Sequence, residues 1–260
     1  MKLIGEYEPN KLSDVYATVA RRKQYYGELR GRCLSGVPIM RNFLVAGGIS
    51  VMLFFVVAVL VFTNISQSFD ARLALMINHA DPGIAFSQAM VLFSKYGREY
   101  FWVPVVAIML ILGNRDTKML AFELGALFVA GIIAGEALKI FLYRPRPFVS
   151  LTDIVLRVPT DTDSSFPSGH ALIVSIGAVF SIVKFRHKKA AVLLAIEAAL
   201  VCYSRVFVGA HYPLDVVAGI FLGTGIALIG IFIVERYFSS VLNKLSEISV
   251  TIFKNGPLAA

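Results

Sequence analysis

FLVAGGISVMLFFVVAVLVF, residues 43–62, is a run of twenty residues without a single charge. At helical rise it spans roughly 30 Å, the thickness of a bilayer's hydrocarbon core. About forty mostly polar residues precede it, and no small-residue cleavage site follows it. It therefore reads as a retained transmembrane helix and not as a secretory leader.

Working outward, further apolar stretches lie at about Phe101–Leu112, Met119–Tyr143, Ala171–Val183, Ala190–Val208 and Leu214–Val234. The second and fourth of the six stretches are short. The expected fold is all-α: a polytopic membrane protein with about six transmembrane helices in a bundle. Composition agrees, with 57% hydrophobic and 16% charged residues, against ~45–50% and ~25% in globular chains. Asp81-Pro82-Gly83 marks a turn, and Ile84–Tyr96 mixes apolar positions with Ser87, Gln88 and Lys95. That pattern predicts an amphipathic interfacial helix before the second span. Tyr96, Tyr100, Phe101 and Trp102 stand where an aromatic belt belongs. Gly131/Gly135 and Gly219/Gly223 have the G-x-x-x-G spacing that permits close helix contact.

A net charge of +8 raises the question of nucleic acid, but its distribution points to a membrane. Lys2, Lys11, Arg21, Arg22, Lys23, Arg30, Arg32 and Arg41 precede the first span. Arg115, Lys118, Lys184, Arg186, Lys188, Lys189, Arg236, Lys244 and Lys254 fall on the same side if the spans alternate. By the positive-inside rule that side is cytoplasmic, and so are both termini. The chain then divides into a basic cytoplasmic tail at 1–42, a six-span domain at 43–235 and a cytoplasmic C-terminal tail at 236–260. Membrane lipids, and no nucleic acid, are the expected contacts of the tail. Cys33 and Cys202 fall in different environments, which argues against a disulfide.

Three polar blocks interrupt the apolar background. Lys139 is followed, after six intervening residues, by Arg146-Pro147. Pro167-Ser168-Gly169-His170 comes next, then Ser204-Arg205, with His211 six residues past the arginine and Asp215 four further on. Three cations, two histidines and a carboxylate are costly among apolar helices unless they share a task. Alternating spans bring all of them to one extracytoplasmic face.

Ser168 suits a helix N-cap and Gly169 allows close backbone approach, so the helix start can face an anion. His170 in the first turn could act as general acid. Pro213 at the first position of the last span puts Asp215 one turn from His211. Its carboxylate could accept from one imidazole nitrogen and leave the other as a nucleophile. Lys139, Arg146 and Arg205 could neutralise phosphoryl oxygens. Arg144, outside this spacing, reads as rim, and Lys95 and Arg98 as cations snorkelling to headgroups. His79 and His187 read as solvated surface residues. The connection 144–167, with four prolines, could form a lid or rim. No cluster has metal-ligand spacing, and no cofactor is expected.

The blocks K-x6-R-P, P-S-G-H and S-R-x5-H-x3-D resemble the signature of the phosphatidic acid phosphatase type 2 family, the membrane branch of the superfamily that includes vanadium haloperoxidases. Every fixed position is matched over Lys139–Asp215, and the six-span layout extends the likeness to about Phe43–Val234. The resemblance implies that His211 attacks phosphorus to form a phosphohistidine, that Asp215 orients it and that His170 protonates the leaving group. It also implies that Lys139, Arg146, Ser168, Gly169 and Arg205 bind the phosphate without a metal; Ser204 occupies a motif position with no assigned role. The implied substrate is a lipid phosphate: a polyprenyl diphosphate such as undecaprenyl diphosphate first, then phosphatidic acid or phosphatidylglycerol phosphate. Two alternatives stay open: a phosphotransferase using the same intermediate, and a non-catalytic binder or transporter of phosphorylated lipids.

Overall fold

The computed structural model describes residues 37–238 together with Val241 and Leu245. The basic tail up to residue 36, with Cys33, and the rest of the C-terminal tail lie outside the described residues. The described chain is helical: α1 Val37–Phe62, α2 Gln67–Asn78, α3 Ile84–Tyr96, α4 Glu99–Leu112, α5 Arg115–Phe141, the single turn α6 Pro147–Ser150, α7 Gly169–Lys184, α8 Lys188–Phe207 and α9 Pro213–Ile233. The last continues into a π-turn at Val234–Phe238.

Among the described residues, four stretches are long and apolar enough to cross a bilayer: Arg41–Phe62, Arg115–Phe141, Lys188–Phe207 and Pro213–Phe238. Glu99–Leu112 and Gly169–Lys184 are apolar but shorter. All six expected spans are therefore helices, and the two short ones are those whose sequence runs were short. Lipid-facing positions stay apolar where no protein covers them, as at Met52, Phe55 and Val59 on α1 or Ile133 and Ile140 on α5.

Helices α5, α8 and α9 pack around α7. The successive residues Ala171, Leu172, Ile173 and Val174 are all buried, although each points about 100° further around the helix than the last. A helix apolar all round belongs inside. The two glycine pairs make this enclosure possible. A Cβ on Gly219 would stand 2.6 Å from the Ser168 carbonyl oxygen, and one on Gly223 would strike the Leu172 backbone. Across α7, Gly131 abuts Ile176 and Leu172. Small residues on α5 and α9 thus let both helices close on α7. At the far end of α7, Lys184 joins Glu123 of α5 at 3.1 Å and Glu235 of the π-turn at 2.6 Å.

One expectation needs correction. Trp102 does not join an aromatic belt: it is 1% exposed, its indole lies on Gly177 and its ring meets Phe128 edge-on. Gly177, lacking a side chain, leaves the hollow that the indole fills. The connection after α1 holds a helix, α2, whose Asp70, Ala74 and Asn78 recur every fourth residue and are all buried. The amphipathic α3 has the expected limits, and it also packs inward, with Met90 clustering with Phe207 and Val208.

Candidate active site

The site is assembled where α5 ends and where α7 and α9 begin. Ser168 caps α7, and its backbone N–H donates to the Asp215 carbonyl at 3.0 Å, tying the two helix starts together. The backbone N–H of His211 donates to the Arg205 carbonyl at 3.2 Å, so the end of α8 holds the loop that carries the histidine. A cavity of about 390 Å³ opens among these ends. Lys139, Arg146, Gly169, His170, Arg205 and His211 all line it. Ser168 and Asp215 are fully buried behind it. The three sequence blocks therefore converge.

His211 is 2% exposed, and its Nδ1 lies 2.8 Å from the Ser165 carbonyl oxygen. A carbonyl can only accept, so Nδ1 carries the proton and the other ring nitrogen keeps its lone pair. Burial, then the charges of Arg205 and Arg146, push the His211 pKa well below its ordinary 6.5. A neutral imidazole of fixed tautomer results.

The expected hydrogen bond from His211 to Asp215 is not made. Asp215 Oδ2 lies 3.7 Å from Nδ1, too far for one. That oxygen accepts instead from the Tyr212 backbone N–H at 2.9 Å, and Arg144 Nη1 reaches Oδ1 at 2.5 Å. Arg144 is thus no rim residue. Its Nη2 also reaches Asp70 at 2.7 Å, and its guanidinium stacks 3.9 Å over the Tyr212 ring. Asp70 completes the chain by accepting from the Leu214 N–H at 3.0 Å. Two buried carboxylates need a shared counter-charge, and a guanidinium is shaped to bridge them. Burial alone would lower the Arg144 pKa, but Asp215 and Asp70 hold it above its ordinary value.

The cations are held in readiness. Arg205 Nη1 donates to the Ser94 hydroxyl at 2.7 Å. Arg146 Nη1 donates to the Ala210 carbonyl at 3.1 Å. The remaining valences meet the connecting loop, whose Thr160–Asp163 stretch borders the cavity. Asp163 pairs with Arg146 and with Lys139, each at 2.5 Å, while Asp161 lies 3.2 Å from Arg146 and 3.8 Å from Arg205. Burial would raise the Asp163 pKa, but Lys139 and Arg146 bring it down to about 2. The loop is a rim whose carboxylates rest on the cation cradle. It is pinned by Asn78, which donates to Val155 at 2.9 Å and to the end of α8 at Phe207 at 2.8 Å.

Sequence reasoning missed Asp70, Ser165, Asp161, Asp163 and Arg98. Arg98 lines the cavity and pairs with Glu99, instead of reaching for headgroups. Ser204 donates its hydroxyl to the Val201 carbonyl at 2.7 Å within its own helix, a structural contact. His79 and His187 are exposed as expected, and Cys202 is a free buried thiol.

Known proteins resemble this chain in sequence and in fold. The chain is 43% identical over 163 residues to an undecaprenyl-diphosphatase of Sulfolobus acidocaldarius, covering 63% of this chain and 77% of that protein. It is 32% identical to the undecaprenyl-diphosphatase BcrC of Bacillus subtilis, covering 64% and 81%. Among solved structures, Aquifex aeolicus LpxE shares 27% identity with a TM-score of 0.52, covering 62% of this chain and 93% of that one. A transmembrane PAP2-type phosphatidylglycerolphosphate phosphatase of Bacillus subtilis shares the fold, with a TM-score of 0.59 at 22% identity, covering 74% and 96%. The sequence profile of the PAP2 superfamily matches residues 120–238, which hold all three polar blocks. The chain belongs to the PAP2 superfamily and is a membrane lipid phosphatase.

Proposed function

We propose that this phosphatase hydrolyses a polyprenyl diphosphate, of which undecaprenyl diphosphate is the favoured case, through a phosphohistidine on His211. One observation carries the reading: a neutral, tautomer-locked His211, His170 and three cations line a single cavity at the ends of membrane helices. Lys139, Arg146 and Arg205 hold three oxygens of the terminal phosphate, displacing Asp161 and Asp163. The lone pair of His211 attacks phosphorus opposite the leaving oxygen, and His170 gives that oxygen a proton. Water, activated by the now neutral His170, then releases phosphate. Asp215 acts as a nearby negative charge for the phosphorylated ring and as a brace for its loop. The Ser165 carbonyl sets the ring's orientation.

The lipid class follows the relatives named undecaprenyl-diphosphatase. The placement also suits it, since a headgroup can reach the helix ends while its tail stays in lipid. Arg115, Lys184, Arg186, Lys188 and Lys189 mark the helix ends remote from the cavity. By the positive-inside rule these ends face the cytoplasm, and the cavity faces out. Phosphate release from undecaprenyl diphosphate in detergent, wild type against His211→Ala, tests the mechanism. Loss of release is expected, and undiminished release would refute the role of His211. Labelling of single cysteines near Asp161 by an impermeant reagent in intact cells tests the orientation: labelling is expected, protection contradicts it.

A further inference from the structure

Arg98 is a fourth cation on the cavity that carries Lys139, Arg146 and Arg205, and it belongs to none of the three sequence blocks. It sits in the turn between α3 and α4, far along the chain from the others. Its Nη1 lies 3.3 Å from the point where a Cβ on Gly169 would stand, and Lys139 Nζ lies 3.8 Å from the same point. Both groups therefore crowd the first turn of α7, beside His170. Its nearest acid is the neighbouring Glu99, and its Nε is buried without an acceptor.

The arrangement around the two histidines is not symmetrical. Arg98 and Lys139 stand at the first turn of α7, where His170 follows Gly169. Arg146 instead donates to the carbonyl of Ala210, the residue before His211. Arg98 thus stands on the side of the proton donor, where the leaving group departs. A phosphomonoester offers three non-bridging oxygens, which Lys139, Arg146 and Arg205 already serve, and its leaving alkoxide needs only a proton. For such a substrate Arg98 has no partner. In a diphosphate the leaving group is itself a phosphate, and its own anionic oxygens lie just past the bridging oxygen that His170 protonates.

We infer that Arg98 binds the second phosphoryl group, the one bonded to the lipid, and so makes the site selective for lipid diphosphates over monoesters. This inference rests on the phosphatase reading above. The ring nitrogen of His211 forms a bond to the terminal phosphorus as the bond from that phosphorus to the bridging oxygen breaks. The electron pair stays on the bridging oxygen, which takes the proton of His170. The departing molecule is a lipid monophosphate whose remaining negative charge faces Arg98. A guanidinium presents paired donors to two such oxygens, which a lysine cannot do as well. Water then cleaves the nitrogen–phosphorus bond, giving inorganic phosphate and returning a proton to His170.

The test compares the full chain with Arg98→Gln and Arg98→Lys in detergent. The substrates are a polyprenyl diphosphate and the monophosphate of the same chain, and the inhibitors are inorganic pyrophosphate and inorganic phosphate. Arg98→Gln should lose at least tenfold more kcat/KM on the diphosphate than on the monophosphate. It should weaken inhibition by pyrophosphate more than inhibition by phosphate. Arg98→Lys should recover part of both. Equal losses on the two lipids, with an unchanged preference between the two inhibitors, would overturn the assignment of Arg98 while leaving the phosphatase reading intact. Wild-type protein that releases phosphate from neither lipid would overturn both.

Discussion

Arg144 bridges Asp70 and Asp215, at 2.7 Å and 2.5 Å, with both carboxylates fully buried. The bridge fastens α2 to the start of α9 and so fixes the loop that presents His211. Arg144 does not line the cavity, yet removing it would strand two carboxylates away from water. Breaking such a pair typically costs about 3–5 kcal/mol. Arg144→Ala should lower the melting temperature in detergent markedly and abolish activity, with Arg144→Lys recovering only part of the stability. A variant that melts like wild type would contradict this role.

The acid limb of the kcat/KM profile should lie well below pH 6.5. His211 must be neutral to attack, and burial together with Arg205 and Arg146 depresses its pKa. The unfolded chain binds this proton more readily than the folded one, so stability also falls as pH drops below 6.5. A single limb assignable to His211 and centred at or above 6.5 would contradict the electrostatics described.

On the proposed mechanism the substrate phosphate must displace Asp163 from Lys139 and Arg146, with which it pairs. Asp163→Asn should free both cations and lower the inhibition constant for vanadate by roughly three- to tenfold, a shift of about 0.7–1.4 kcal/mol. A rise in that constant would mean that the carboxylate helps bind the anion. In wild type the Asp163 contribution to stability is complete above its unfolded value of 3.8 and lost as pH falls toward about 2. The rim should therefore stay in place at every pH where the enzyme works.

Gly223 meets the backbone of Leu172, which cannot move aside as a side chain can. Gly223→Val should force α9 from α7, at a cost of about 1–3 kcal/mol. It should also reduce activity by shifting Ser168 against Asp215, whose backbone atoms join the two helices. Gly125, which has open space where a Cβ would stand, is the control position and should accept alanine without loss. Equal melting temperatures for Gly223→Val and wild type would contradict the close packing.

What could be read from the sequence depended on the range of the interaction. Lys139, Arg146, His170, Arg205 and His211 could be read because each sits at a fixed spacing near the end of an apolar run. Alternating spans then bring those ends together. Asp70 could not, because its partner Arg144 is 74 residues away and no local period connects them. The Ser165 carbonyl is a backbone atom that every residue possesses, so nothing marks it in the sequence. For that reason sequence spacing pairs the imidazole with the nearest carboxylate, Asp215. Trp102 reads as interfacial because the hollow that receives it is made by Gly177 on another helix. The α2 helix left one legible trace, the four-residue recurrence of Asp70, Ala74 and Asn78, in a segment too short and polar to suggest a span.

The most direct measurement is a rapid acid-free quench of the enzyme during turnover of a lipid diphosphate radiolabelled in its terminal phosphate, followed by peptide mapping. Label that is stable in base, lost in acid and carried by the peptide containing His211 is the predicted result. Label on any other residue, or phosphate released in step with turnover while no labelled protein forms even when His170 is replaced, would contradict the account.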